Sequence, residues 1–277
     1  MSMHGVSKSS SQALSPASRF RKKSFKLDGV EDRVEMDDVG SSGVLDWDNT
    51  KKWTVSIWFK NPGNTLASLW SMTNGPNNSR WLEMYTSYSG ATGQVAFRGY
   101  AASTHALLVT GSSLIVSSAS ANGILPNDGN WHNVVLAVDT ASGLVGGTSI
   151  YLDGVLGAAG NNSDKVNAFD TLKVGVLYKW PAGLSSTPPV QPYQNYSPMT
   201  VSQFSVYDVK LSAAQVAAVW AGGNSIDERG LARAPVHFYR FGNDAAVFPV
   251  VVDIGSGGDA GRAENMSGLE VVGEHPS

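Results

Sequence analysis

Trp53-Thr-Val-Ser-Ile-Trp-Phe59 decides the architecture. Trp53, Val55, Ile57 and Phe59 alternate with Thr54, Ser56 and Trp58, and a period of two sends one set of side chains to a buried sheet face. The segment predicts a central strand. Further apolar runs at 66–72, 80–86, 93–98, 106–116 and 131–138, each bounded by Gly, Pro or Asn, predict short strands at the spacing of a sandwich or barrel. In Trp131-His-Asn-Val-Val-Leu-Ala-Val138 both registers are apolar after Asn133, as a strand covered on both faces requires. Trp53, Trp58 and Trp131 are therefore assigned to the core.

On the N-terminal side, Phe25, Leu27, the turn Asp28-Gly29 and then Val30, Val34 and Met36 read as an opening hairpin. On the C-terminal side, Ser149-Ile-Tyr-Leu152 runs into Asp153-Gly154, where glycine tolerates the positive φ of a tight hairpin turn. Tyr178 to Pro198 contains five prolines, which remove ladder donors, and reads as a long loop before a strand at 199–207. Ser212-Ala-Ala-Gln215 has the form of a capping box, opening a short helix through Trp220 that Gly222-Gly223 ends. A strand at 236–241 and a glycine-rich tail complete the chain.

Composition agrees with this pattern. Thirty glycines and 12 prolines suit strands joined by turns rather than a helical bundle. At 277 residues, one large domain with excursions fits better than two. No apolar run approaches the roughly 18 residues needed to span a bilayer, and Met1–Ser11 carries no apolar signal-like core, so a soluble chain without classical secretion is expected. The absence of cysteine excludes disulfides and thiolate metal centres. Residues 1–26 hold six basic and no acidic side chains, leaving 14 basic against 23 acidic in the rest, a net −9. A basic arm is thus set against an acidic body. We divide the chain into a Ser-rich, flexible basic arm at 1–24, a sandwich at 25–222, and a C-terminal strand and Gly-rich tail at 223–277 that packs on it.

Several pieces in order resemble the laminin-G-like, concanavalin A-like lectin and glucanase superfamily. They are Phe25-Lys-Leu-Asp-Gly-Val-Glu-Asp-Arg-Val-Glu-Met36, the strand 53–59, Gly129-Asn-Trp-His-Asn-Val134, Ile150-Tyr-Leu-Asp-Gly154, and Val201-Ser-Gln-Phe-Ser-Val-Tyr-Asp208 leading to Leu211-Ser-Ala-Ala-Gln-Val216. The resemblance implies an all-β jelly-roll of two antiparallel sheets with one short helix. Val236-His-Phe-Tyr-Arg-Phe-Gly242, Asp253-Ile-Gly-Ser-Gly257 and Glu264-Asn-Met-Ser-Gly268 look like the ending of laminin-G-like proteins of tailed bacteriophages, with Gly255 standing where serine is more usual. It implies a virion structural or decoration protein, assembled in the host cytoplasm, that contacts other virion proteins and itself. A carbohydrate-binding module of a microbial surface protein is the alternative.

The same superfamily includes glycosidases, which need two carboxylates flanking the scissile bond. The nearest segment, Glu35-Met-Asp37-Asp38-Val-Gly40, lacks the second glutamate and is read as a solvated strand edge in the opening hairpin, so no enzyme is expected. Calcium is common among such relatives, and Asp37, Asp38, Asp46 and Asp48 could contribute oxygens, but no ligands are assigned and no cofactor is expected. The five histidines lack His-x-x-x-His spacing, which argues against structural zinc. Four sequons, at Asn77, Asn161, Asn195 and Asn265, are read as chance in an Asn- and Ser-rich chain.

Aromatic faces stack on sugar C–H groups while amides bind hydroxyls. Tyr178, Trp180, Gln191, Tyr193, Asn195 and Tyr196 therefore form the candidate glycan-binding or interaction loop; the competing reading is that this loop caps the sandwich or meets a neighbouring subunit. Arg19, Phe20, Arg21, Lys22 and Lys23 form a candidate docking arm for an acidic protein surface, with nucleic acid as the less favoured partner.

Overall fold

The computed structural model describes residues 23–37, 52–61, 63, 67–73, 81–89, 92–100, 114–117, 123–139, 147–160, 171–178, 193–242, 250–258, 260–264, 266 and 271–276. Two eight-stranded antiparallel sheets face each other as a jelly-roll sandwich. The first sheet runs in the order β10 (Val155–Gly160), β9 (Thr148–Leu152), β8 (Trp131–Asp139), β3 (Lys52–Lys60), β14 (Pro198–Tyr207), β1 (Ser24–Asp28) and β18 (Val271–Val272), with β15 (His237–Arg240) also paired to β14. The second runs β16 (Val250–Val251), β17 (Gly261–Glu264), β2 (Arg33–Asp37), β11 (Thr171–Val174), β4 (Ala67–Thr73), β5 (Trp81–Ser89), β6 (Thr92–Tyr100) and β7 (Leu114–Ser117). β12 (Val176–Tyr178) and β13 (Tyr193–Tyr196) form a separate two-stranded ribbon.

Strand β3 is central, as its alternation requires, and Trp53, Val55, Ile57 and Phe59 are wholly buried in the core between the sheets. Facing them from the second sheet are Val34, Met36, Trp70, Met72, Leu82, Met84, Val95 and Phe97. A second, smaller core lies outside the first sheet: Val135 and Ala137 of β8, with Tyr151 and Tyr207, pack against Leu211, Val216 and Val219 of helix α1 (Ala213–Trp220) and its approach. This second layer explains why 131–138 is apolar in both registers. Thr54, a polar residue on that outer face, fixes the helix entry by donating to Val209 O and accepting from Leu211 N. The capping box forms as read, with Ser212 Oγ accepting from Gln215 N and Gln215 Oε1 accepting from Ser212 N. Ala221, before Gly222-Gly223, takes the left-handed cap conformation.

The Asp153-Gly154 turn joins β9 to β10 with both residues at positive φ (50° and 76°), as a two-residue hairpin demands. Four readings require correction. Residues 25–36 are not a hairpin: β1 pairs with β14 and β18 while β2 pairs with β11 and β17, so Asp28–Asp32 crosses from one sheet to the other. A turn signal fixes a reversal of the chain, not the identity of the strand it will pair with. Part of the 178–198 loop is strand β13. Among its described residues the C-terminal region holds four strands rather than one, because β15 and β18 join the first sheet and β16 and β17 join the second. Trp131 is only half-buried, whereas Trp53 and Trp58 are core. Of the expected strand at 106–116, residues 114–116 lie in β7 and 106–113 lie outside the described residues.

The first two tail motifs, 236–242 and 253–257, pack together. Asp253 Oδ1 accepts from Phe238 N and Gly255 N, Ile254 N donates to Phe238 O, and Gly257 N donates to Val236 O. A Cβ at Gly255 would stand 2.4 Å from Val236 O, so the close approach of two backbones excludes the serine expected there.

Candidate functional site

The ribbon begins where β11 leaves the second sheet. Gly175 takes φ +87°, and a Cβ there would lie 2.3 Å from Leu27 Cδ1, so glycine alone fits the departure. Strands β12 and β13 then pair antiparallel, Val176 opposite Tyr196 and Tyr178 opposite Tyr193. Buried hydroxyls staple this pair to β4: Ser68 Oγ and Ser71 Oγ both donate to Val176 O, at 2.9 and 3.0 Å, and Ser68 N donates to Ser197 Oγ at 2.6 Å. Ser197 N closes the staple on Gly175 O at 3.0 Å. The two ends of segment 179–192 are thereby held opposite one another on a rigid support.

Of the residues proposed from sequence, the backbone of Tyr178, Tyr193, Asn195 and Tyr196 is brought together in this ribbon, and Tyr196 is half-buried. Trp180 and Gln191 lie outside the described residues, as do Arg19, Phe20, Arg21 and Lys22 of the arm; Lys23 is half-buried just before β1. Ser197, the third residue of the Asn195 sequon, is fully buried with its hydroxyl engaged. Asp37 ends β2, and Asp38, Asp46 and Asp48 lie outside the described residues. Among the described residues no three His, Asp or Glu side chains converge as metal ligands would.

Ser71 belongs to a polar row that sequence reading missed. Arg262, Glu35, Lys173, Ser71 and Glu83 stand in register on successive strands β17, β2, β11, β4 and β5. Each alternates with core residues, so all five side chains lie on the outer face of the second sheet. Lys173, Ser71 and Glu83 are buried. Lys173 Nζ lies 2.8 Å from Glu35 Oε1, and Arg33 Nε lies 3.2 Å from Oε2. Burial, the largest influence, raises the Glu35 pKa, but hydrogen bonding and charge from Lys173 and Arg33 outweigh it and hold the carboxyl below its ordinary range. Glu35 is therefore no solvated edge: β2 is internal to its sheet, and the carboxylate is ion-paired rather than poised to give or take a proton. Sequence gives the alternation of Glu35, Lys173 and Glu83 with apolar neighbours, but not that strands as far apart in the chain as β2 and β17 lie side by side.

No family model matches the chain, and no curated protein matches it. Solved structures with similarity include the heptameric SAP-like pentraxin of Limulus polyphemus, at 16% identity over 74% of this chain and 84% of that one, with a TM-score of 0.49. The CBM40 of the Ruminococcus gnavus IT-sialidase is 17% identical over 71% of this chain and 95% of its own, with a TM-score of 0.43. Domains LG4-5 of the mouse laminin alpha1 chain are 11% identical over 70% of this chain and 44% of theirs, with a TM-score of 0.40. At this level the fold rests on the strand pairings described above, and the function on the site itself.

Proposed function

We propose that the chain is a non-enzymatic attachment module, a virion structural or decoration protein whose sandwich supports a contact surface for protein and glycan built on segment 178–196. The observation that carries the binding reading is the stapled ribbon, which fixes both ends of an aromatic- and proline-rich segment to a buried sheet strand. Contact residues on a connection braced by a rigid scaffold are the usual arrangement in recognition domains, because little ordering entropy is left to lose on binding. The virion placement is supported by the C-terminal resemblance, whose two principal pieces pack against each other in the fold.

The test has two arms. Size-exclusion chromatography and incubation with purified capsids or tails should give symmetric oligomers or decorated particles. Failure of both, together with strong retention on a polysaccharide resin that is lost in a Trp180→Ala/Tyr193→Ala double variant, would replace this reading with that of a carbohydrate-binding module at a cell surface. That second reading is favoured by the tyrosines Tyr178, Tyr193 and Tyr196 that the ribbon pairing brings together, since sugar rings stack on aromatic faces.

A further inference from the structure

His132 sits at the rim of the sandwich, at the start of β8, between two carboxylates. Its Nδ1 lies 2.8 Å from Asp153 Oδ2 in the β9–β10 turn, and its Nε2 lies 3.0 Å from Asp128 Oδ1 in the turn preceding β8. From β3 it meets the Phe59 ring, with centroids 6.1 Å apart. Asp153 and Asp128 are the charged groups set against it. An ionised carboxylate only accepts, and a neutral imidazole has one N–H, so both contacts form only when the ring is an imidazolium donating from both nitrogens. We propose that His132 is a proton-operated clasp: protonated, it ties the turn at 125–130 to the β9–β10 hairpin, and on losing its proton it releases the Asp128 side.

The asymmetry of the supports decides which side lets go. Asp153 is held independently, because its Oδ1 accepts from Asn133 N at 2.8 Å and its own N donates to Asn133 O at 2.8 Å. Among the described residues, Asp128 is bound otherwise only within its own turn, to Asn130 N and Nδ2, and by a long 3.3 Å bond from its N to Leu125 O. A neutral ring that keeps Nδ1–H on Asp153 would aim the Nε2 lone pair at the Asp128 carboxylate. The turn so loosened bridges the sheets: Gly129 N donates to Asn61 O at the end of β3, while the Asn127 side chain lies against Gly93 of β6, where an added Cβ would come within 2.0 Å of Asn127 Oδ1. Burial is the largest influence on the ring and disfavours its charge, yet hydrogen bonding and charge from Asp153 and Asp128 outweigh it and hold the pKa above the usual histidine range. The clasp is therefore closed below that elevated value and opens as pH rises through it.

Nitrogen-15 NMR of the full chain tests this, reading the His132 ring together with amide exchange rates corrected for their intrinsic pH dependence. Protection of Gly129 should fall at least tenfold as the ring titrates, while Asn133 and Asp153 hold theirs. In Asp128→Asn, which keeps the turn but removes the carboxylate, the Gly129 step should vanish and the ring should titrate at lower pH. A ring found neutral at pH 5, a Gly129 protection that ignores the titration, or a wild-type step that survives in Asp128→Asn would each overturn the proposal.

Discussion

Asp253 holds His237 inside the protein: Oδ2 lies 2.8 Å from Nδ1, and neither side chain is exposed. The same carboxylate accepts from Phe238 N and Gly255 N, each at 2.8 Å, so one side chain joins β15 to the glycine-rich segment that follows β16. Burial, the largest influence, raises its pKa, but the His237 and backbone hydrogen bonds outweigh it and hold the carboxyl below its ordinary range. Asp253→Ala strips three donors of their acceptor and should cost about 3–5 kcal/mol. Urea denaturation checks this, and a loss under about 0.5 kcal/mol, the range of ordinary surface substitutions, would show the contact to be unimportant.

Glu228 should make stability fall with rising pH. It opens the 3₁₀ turn Glu228–Gly230, is wholly buried, and accepts from Tyr207 Oη at 2.5 Å. Burial, foremost, pushes its pKa up to about 7 from an ordinary 4.5, with the Asp227 charge adding to the rise and the Ser205 and Tyr207 hydrogen bonds opposing it. The folded state then holds a proton that the unfolded chain releases, so stability declines between those two values and levels off above the higher one. The loss should total about 3 kcal/mol, at 1.36 kcal/mol per pKa unit. Denaturation midpoints measured from pH 4 to 8 should show a decline in the wild type between 4.5 and 6.5 that is absent from Glu228→Gln, which can still accept from Tyr207. His132 also loses stabilisation as pH rises, but from about 6.5 upward, so only the part common to both chains belongs to it.

Lys173→Ala should destabilise the fold by about 2–4 kcal/mol, because it leaves Glu35 and the polar row without their buried cation. Thermal unfolding of Lys173→Ala, Glu35→Ala and the double variant gives the coupling between them; costs that simply add would mean the pair does not act as one. With its carboxylate engaged by Lys173 and Arg33, Glu35 should support no turnover on a panel of chromogenic glycosides.

Truncation should be sharply position-dependent near the N-terminus. Ser24 pairs with Val272 and its hydroxyl donates to Glu274 O, while Phe25 stacks on Phe241 at 5.6 Å. Removing residues 1–22 should leave the melting temperature nearly unchanged while weakening assembly; removing 1–25 should lower it by several degrees, as loss of a core aromatic and an interstrand tie requires. Equal melting temperatures for the two truncations would move the domain boundary.

What local sequence encodes was legible in this chain. The period of two in 53–59, the Asp153-Gly154 turn and the Ser212–Gln215 cap each depend on contacts within a few residues, and all three appear as read. The apolar doubling of 131–138 even announced a second covering layer, though not that α1 would supply it. Strand partnership was decided elsewhere. Asp28-Gly29 looks the same whether the next strand returns to the same sheet or crosses to the other, and β1 finds its neighbours at Met199 and Val271 through the burial of Phe25 and Leu27, a global packing condition. The candidate site divides in the same way. Its aromatic residues were visible as an unusual composition, whereas Ser68 and Ser71, which pin the ribbon, and Lys173 beside Glu35 became partners only when strands distant in sequence were laid edge to edge.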